Sequence, residues 1–313
     1  MMDRNSRESL TFSLASSPEN TIGVFHPERG HSLIQEYVMP DIYNSIDAAE
    51  AATIEQIARV LEVRAADTQQ RNMLESYLER IDFPENAQVL EIGCGTGAVT
   101  RRLAAWLGVV QAVGIDPSSV LIAKARELGS GFSGLSFQEG YADQLPFQDE
   151  SFDVIVFHTT LCHLSTPRSA LLEAFRVLRP EGWLALFDGD YASTTFGTGE
   201  LDPLQVCADS FRSSFINDSW IARRMPTLAR STGFKVMSYK SHGYTETSRP
   251  DYMLTIIDRG ADALAETGQI GRELAEAFKT EARRRVDEHQ FFGYISYTSL
   301  IAQKPRNRAM RRS

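Results

Sequence analysis

The sequence predicts an α/β fold: an open, mostly parallel seven-stranded sheet with helices on both faces and a helical cap. Three observations lead there. First, Val89-Leu90-Glu91-Ile92 reads as a buried strand and runs directly into glycines at 93, 95 and 97, after which Ala98 to Leu107 has helical spacing. Strand, glycine turn and helix open a nucleotide-binding βαβ unit. Second, short apolar runs alternate with amphipathic helical stretches beyond it, as parallel strands with crossover helices require. Third, the next strand, Ala112 to Asp116, ends in an acid 19 positions after Gly97 (116 minus 97). At that separation a carboxylate reaches ribose hydroxyls in this class of fold.

Each element has its own justification. Residues 1–30 are rich in Ser, Glu, Arg, Asn and Pro and read as a mobile arm. Ser32 to Ile46 carries Leu33, Ile34, Tyr37, Val38, Ile42 and Tyr43, so the arm is expected to extend to residue 47 and the main domain to run over 48–313. Residues 48–80 read as two helices, with stripes at Ala52, Ile54, Ile57, Ala58 and Leu61 and at Met73, Leu74, Tyr77 and Leu78. Pro117-Ser118-Ser119 starts a helix, and Gly134 to Gly140 is a third strand and turn. Val154 to Phe157 is a continuous apolar run, the pattern of a central parallel strand. Ser169 to Leu178 is an amphipathic helix, ended by Arg179-Pro180-Glu181-Gly182 before a strand over Trp183 to Asp188. Two inserts, near 192–230 and 249–290, flank a strand over Val236 to Tyr244, and Phe291 to Ala302 closes the sheet. A basic tail follows from 305.

Composition excludes several classes. The 313 residues are 42% hydrophobic and 23% charged, with a net charge of −9. That balance opposes a broad grip on phosphate backbones or anionic lipid, so nucleic acid and membrane are not expected partners. Cys94, Cys162 and Cys207 are too few and too scattered for a disulfide framework, and no pair has metal-ligand spacing. No apolar run is long enough for a signal peptide or a bilayer span. The expectation is a cytoplasmic protein, monomer or homodimer, with no metal.

The glycine order is G-x-G-x-G with an acid, Glu91, two positions before the first glycine. The dinucleotide fingerprint is G-x-G-x-x-G, so a nicotinamide enzyme is disfavoured. The loop resembles motif I of the class I S-adenosylmethionine-dependent methyltransferases. Tyr141-Ala142-Asp143-Gln144-Leu145-Pro146-Phe147, the following Ser151-Phe152-Asp153 strand start and the stretch Arg176 to Asp188 also resemble that family. The likeness is densest over 85–190, fainter to 302, and is nearest to the small-molecule branch that includes ubiquinone and menaquinone biosynthesis methyltransferases. Two departures stand out: Tyr141 occupies the family's Asp or Asn place, and Glu181 stands where glycine is usual.

The resemblance implies a Rossmann-like class I methyltransferase fold and S-adenosylmethionine (SAM) as cofactor. Gly93, Gly95 and Gly97 would cradle its amino-acid end, with Glu91 and Cys94 in the same loop. Asp116 and Pro117 would meet the ribose, and Tyr141, Ala142 and Asp143 the adenine. His158 and His163 follow the fourth strand and Asp190 the fifth, and all three are candidates for acid–base work; His158 is also a candidate cofactor contact. In the family the segment holding Tyr37 and Tyr43 often closes over the substrate. Phe25, Tyr37 and Tyr43 are aromatic faces suited to a sulfonium. Tyr37, Tyr43, Tyr191, Phe196, Phe215, Tyr244 and Phe292 are the candidate acceptor contacts. The implied reaction is methyl transfer to a small apolar or aromatic metabolite, on oxygen, nitrogen or carbon. The Tyr141 departure leaves a second reading: a SAM-binding partner or regulatory protein without turnover. A nucleic-acid methyltransferase is disfavoured by the charge and by the absence of an Asn-Pro-Pro-aromatic segment after the fourth strand.

Overall fold

The structure is a computed structural model, and it describes residues 51–306. Tyr37, Tyr43 and Phe25 lie outside the described residues, as does the end of the basic tail. Two helices come first, α1 (Ala51–Ala66) and α2 (Thr68–Leu78). The Asp67 side chain caps α2 by accepting the Gln70 N–H at 2.8 Å. Strands and helices then alternate: β1 (Ala87–Ile92), α3 (Ala98–Ala104), β2 (Val109–Asp116), α4 (Ser119–Gly129), β3 (Leu135–Glu139), β4 (Phe152–His158), α5 (Pro167–Val177) and β5 (Leu178–Thr195). Helices α6 (Gln205–Phe215) and α7 (Ile221–Ser231) lead to β6 (Lys235–Glu246). Helices α8 (Asp251–Glu266) and α9 (Arg272–Asp287) lead to β7 (Gly293–Gln303).

The seven strands pair in the order β3-β2-β1-β4-β5-β7-β6. The pairings from β3 through β5 are all parallel, and β7 runs antiparallel to both its neighbours. Val154 to Phe157 are buried, which is why β4 reads as an unbroken apolar run: both its faces are covered by helices. The chain moves outward from β1 to β2 and β3, then returns across β1 to lay down β4. The order therefore reverses between β1 and β4, and a crevice opens beyond the carboxyl ends of those strands.

One strand departs furthest from expectation. β5 is far longer than Trp183 to Asp188. It takes in Arg179 to Gly182 and the start of the first insert, because Leu178 already pairs with Phe152 and Thr195 still pairs with Tyr294. The insert helices pack on one another and on the core. α6 lies so close to α8 that a Cβ on Gly260 would fall 2.0 Å from the Cys207 carbonyl oxygen. Asp258 pairs with Arg283 at 2.8 Å and joins α8 to α9. Among the described residues no helix is long and apolar enough to cross a membrane, and no His/Cys/Asp/Glu group has the arrangement of a metal site.

Candidate active site

A deep cleft lies at the β1/β4 reversal, with about 1510 Å³ of empty space, its open mouth included. Its floor is the glycine loop. Gly93, Gly95 and Gly97 have φ of 75°, 53° and 74°, the left-handed region that glycine enters without strain. Close packing forbids larger residues as well: a Cβ on Gly93 would lie 2.3 Å from Thr160 Cγ2, and one on Gly97 2.4 Å from the Phe137 ring. The loop thus presents bare backbone to the cleft.

Asp116, at the end of β2, is buried and accepts two backbone N–H groups: Gly95 to Oδ2 at 2.9 Å and Ser118 to Oδ1 at 3.0 Å. Each carboxylate oxygen keeps a second lone pair, enough for two ribose hydroxyls. Burial raises its pKa to about 6, and the two N–H bonds oppose the rise. Glu91 is also buried and lines the cleft; the Thr100 hydroxyl donates to its Oε2. Burial first, and the neighbouring Asp116 charge next among the raising causes, lift Glu91 from the usual 4.5 to about 8. Burial likewise pushes the Cys94 thiol up, so Cys94 is neutral packing at the loop. Pro117, Tyr141, Ala142 and Asp143 line the same wall. Tyr141 is exposed, and the Asp143 carboxylate accepts from Thr166 Oγ1 at 3.4 Å.

Beyond β4 stand His158, Thr159, Thr160 and His163. His158 Nδ1 shares a hydrogen bond with the Tyr77 hydroxyl at 2.9 Å, and its ring stacks on Phe187 at 4.6 Å. Burial drives its pKa well below the histidine range, so the ring is neutral. His163 ends the short 3-10 turn Leu161–His163. Asp188 at β5 fixes that turn by accepting the Cys162 N–H at 3.1 Å and the Gly189 N–H at 2.9 Å.

The structure separates the predicted residues into two groups. The cofactor set gathers at the cleft, with His158 and His163, except for Gly97, which is packed against Phe137 beneath the loop. Asp190 does not: both its oxygens accept from Arg223 Nε, at 3.0 and 2.9 Å, away from the cleft lining. Nor do the described acceptor candidates. Tyr191, Phe196 and Tyr244 are buried in the main core, and Phe215 packs there with Arg259 over its ring at 4.1 Å. Phe292 is half-buried and outside the cleft lining. The physical reason is common to these: the sheet's antiparallel half and α6 to α9 consume their aromatic residues in packing on one another.

The cleft wall that sequence reasoning did not identify comes from α1 and α2. Leu61, Arg64 and Ala65 contribute from α1, and Gln70, Arg71 and Leu74 from α2. The apolar stripes announced two helices. The polar residues beside those stripes carried no signal of their own until the helices were placed over the strand ends.

A family profile described as "Methyltransferase domain" matches residues 90–186. The O-methyltransferase resE of Aspergillus sclerotiorum is 38% identical over 211 residues, covering 63% of this chain and 71% of that protein. A 2-phytyl-1,4-naphtoquinone methyltransferase of Thermosynechococcus vestitus is 31% identical over 116 residues, 37% of this chain and 52% of that protein. Among solved structures, the YcgJ protein of Bacillus subtilis superposes with a TM-score of 0.54 at 19% identity, covering 76% of this chain and 99% of that one. The chain spans about half the length of the first curated relatives it matches, 54% of one and 41% and 40% of the next two.

Proposed function

The chain belongs to the class I SAM-dependent methyltransferases, and from that premise we propose that it methylates a small metabolite with an apolar or aromatic body. The observation that carries the reading is one cleft joining the left-handed Gly93 and Gly95, a ribose-competent Asp116 and free volume beyond β4. The residues fit the cofactor. Cβ atoms at Gly93, Gly95 and Gly97 would collide with Thr160, Leu61 and Phe137, so the loop keeps its backbone bare, and Asp116 retains acceptor capacity after its two backbone bonds. Gly93, Gly95 and Gly97 hold the amino-acid end, Asp116 and Pro117 the ribose, and Tyr141, Ala142 and Asp143 the adenine. Glu91 and Cys94 complete the loop wall. Bound there, SAM supplies a methyl group made electrophilic by its sulfonium, so that transfer breaks a carbon–sulfur bond, forms a bond to the acceptor and releases S-adenosylhomocysteine.

The protein's own contribution is alignment in a water-poor cleft, worth up to ~7–11 kcal/mol. Of the three acid–base candidates we assign His163 to take a proton from the acceptor, since it lines the cleft while Asp190 does not. His158, neutral and bonded to Tyr77, serves as a polar wall. The likeness to an O-methyltransferase favours oxygen as the accepting atom. With a net charge of −9, we take the acceptor to be a metabolite and not a nucleic acid. The working form is a monomer or homodimer, and three free cysteines support a cytoplasmic setting.

Incubating the full chain with methyl-labelled SAM and a metabolite extract of the cells that make it tests this reading by mass spectrometry. A labelled small molecule whose fragments place the methyl on oxygen is expected. Failure to bind S-adenosylhomocysteine overturns the cofactor assignment; binding without any labelled product counts against turnover.

A further inference from the structure

His158 closes β4 at the reversal and lines the cleft, yet it is only 8% exposed. Packing and one hydrogen bond fix its ring. The ring stacks on Phe187, with centroids 4.6 Å and planes 17° apart. Phe187 stacks in turn on Tyr297 at 5.2 Å and on Tyr77 at 5.5 Å. His158 Nδ1 meets the Tyr77 hydroxyl at 2.9 Å, the ring's one hydrogen bond among the described residues.

That bond decides where the imidazole proton lies. Tyr77 is fully buried, and His158 is the one hydrogen-bond partner of its hydroxyl among the described residues. Burial, and next the Glu91 charge, raise the Tyr77 pKa well above the usual tyrosine value, so the hydroxyl keeps its proton. A buried donor without an acceptor costs about 1–3 kcal/mol, so the hydroxyl donates to Nδ1. Burial, and next the positive charge of Arg64, keep the ring from taking a second proton. A neutral imidazole that accepts at Nδ1 carries its single hydrogen on Nε2. Nε2 has no partner among the described residues and is not sealed off as the Gln70 amide is, so its N–H opens on the cleft.

The cofactor set follows β1, β2 and β3, on one side of the reversal. His158 ends β4 on the other side, and its ring leans on Phe187, its partner across the register on β5. A donor fixed there separates acceptor classes. A hydroxyl oxygen has two lone pairs: one takes the Nε2 hydrogen and the other attacks the methyl carbon, while the hydroxyl proton passes to His163. A neutral amine has a single lone pair and cannot serve both.

Resting on the methyltransferase reading above, we propose that Tyr77 positions His158 as an Nε2–H donor to the reacting oxygen of the acceptor, and that this donor selects hydroxyl over amine substrates.

The test uses the full chain, with its histidines labelled with nitrogen-15 and saturated with S-adenosylhomocysteine, and reads the ring nitrogens by NMR. His158→Gln assigns the His158 signals by their loss. The parent is expected to show one tautomer, with the proton on Nε2. Phenol, aniline and toluene are the probes, alike but for the group on the ring. Phenol should move the Nε2 signal at least threefold further than either of the others at equal concentration. Tyr77→Phe should turn His158 into a mixture of tautomers and at least halve the phenol response. It should still bind S-adenosylhomocysteine within twofold of the parent, which reports that it folds. A parent proton on Nδ1 overturns the proposal, as does a phenol shift no larger than that of aniline. A single Nε2–H tautomer in Tyr77→Phe removes Tyr77 from the argument. If S-adenosylhomocysteine alone slows exchange of the Nε2 proton with water, the donor belongs to the cofactor and the proposal fails. A parent chain that binds no S-adenosylhomocysteine would instead overturn the methyltransferase reading.

Discussion

Asp116 serves two ends of the same loop: it accepts the Gly95 and Ser118 N–H groups and still offers lone pairs to a ribose. Asp116→Ala is expected to weaken S-adenosylhomocysteine binding at least tenfold, about 1.4 kcal/mol, by calorimetry. Unchanged affinity would remove Asp116 from the site. Glu91 gives a pH signature. Its pKa is raised in the folded chain, to about 8 from the usual 4.5, and that of Asp116 to about 6 from 3.8. A raised carboxyl pKa favours the folded state while protonated, so this contribution is full below the unfolded pKa and is lost as pH rises through the folded one. The ligand-free protein should therefore lose stability between about pH 4 and pH 8, by on the order of a few kcal/mol. Glu91→Gln should flatten the loss between about pH 6 and 8 and reduce the slope between about pH 4.5 and 6 to the part that Asp116 carries, in thermal melts across that range. Glu181 is a different case: it adopts φ 64°, in the left-handed region, where the related family has glycine. Glu181→Gly should stabilise the fold by about 1 kcal/mol in denaturant titrations, because the exposed Arg306 pair it loses is worth little.

At the scale of elements, α1 and α2 form the cleft wall, whereas α6 to α9 build core. Their stripes looked alike in sequence, since an apolar stripe says that a helix packs and not on what. The α6–α8 contact is the tightest of these packings. Gly260→Ala would press a methyl group into the Cys207 carbonyl and should cost about 1–3 kcal/mol by denaturant unfolding. A smaller effect would show that α8 shifts readily. β5 outgrew its predicted length for a related reason. Strand extent depends on how far the partner strand runs alongside, and β7 continues to pair with β5 as far as Thr195.

At the scale of the whole molecule, the cleft couples nucleotide binding to stability, since its floor joins β1, β2 and β4. S-adenosylhomocysteine at a hundredfold excess over its Kd should add about 2.7 kcal/mol and raise Tm by roughly 4 °C. NAD at the same concentration should not, and an equal shift would contradict the glycine-spacing argument.

The order of elements and the cofactor half of the site were legible in the chain itself. Glycines at 93, 95 and 97, the acid at 116 and the segment at 141–143 are fixed by local geometry: a turn that only glycine allows, and a strand end a set distance along one βαβ unit. The acceptor half was not legible. Tyr191, Phe196 and Tyr244 had suitable chemistry, yet the sheet buried them. Gln70 and Arg71 carried no signal of their own, and they line the cleft only because α2 is tied to β6 and β4 beside it. Short-range constraints write themselves into the sequence. Which side chains meet across a cleft depends on long-range packing, and the tertiary structure alone decides it.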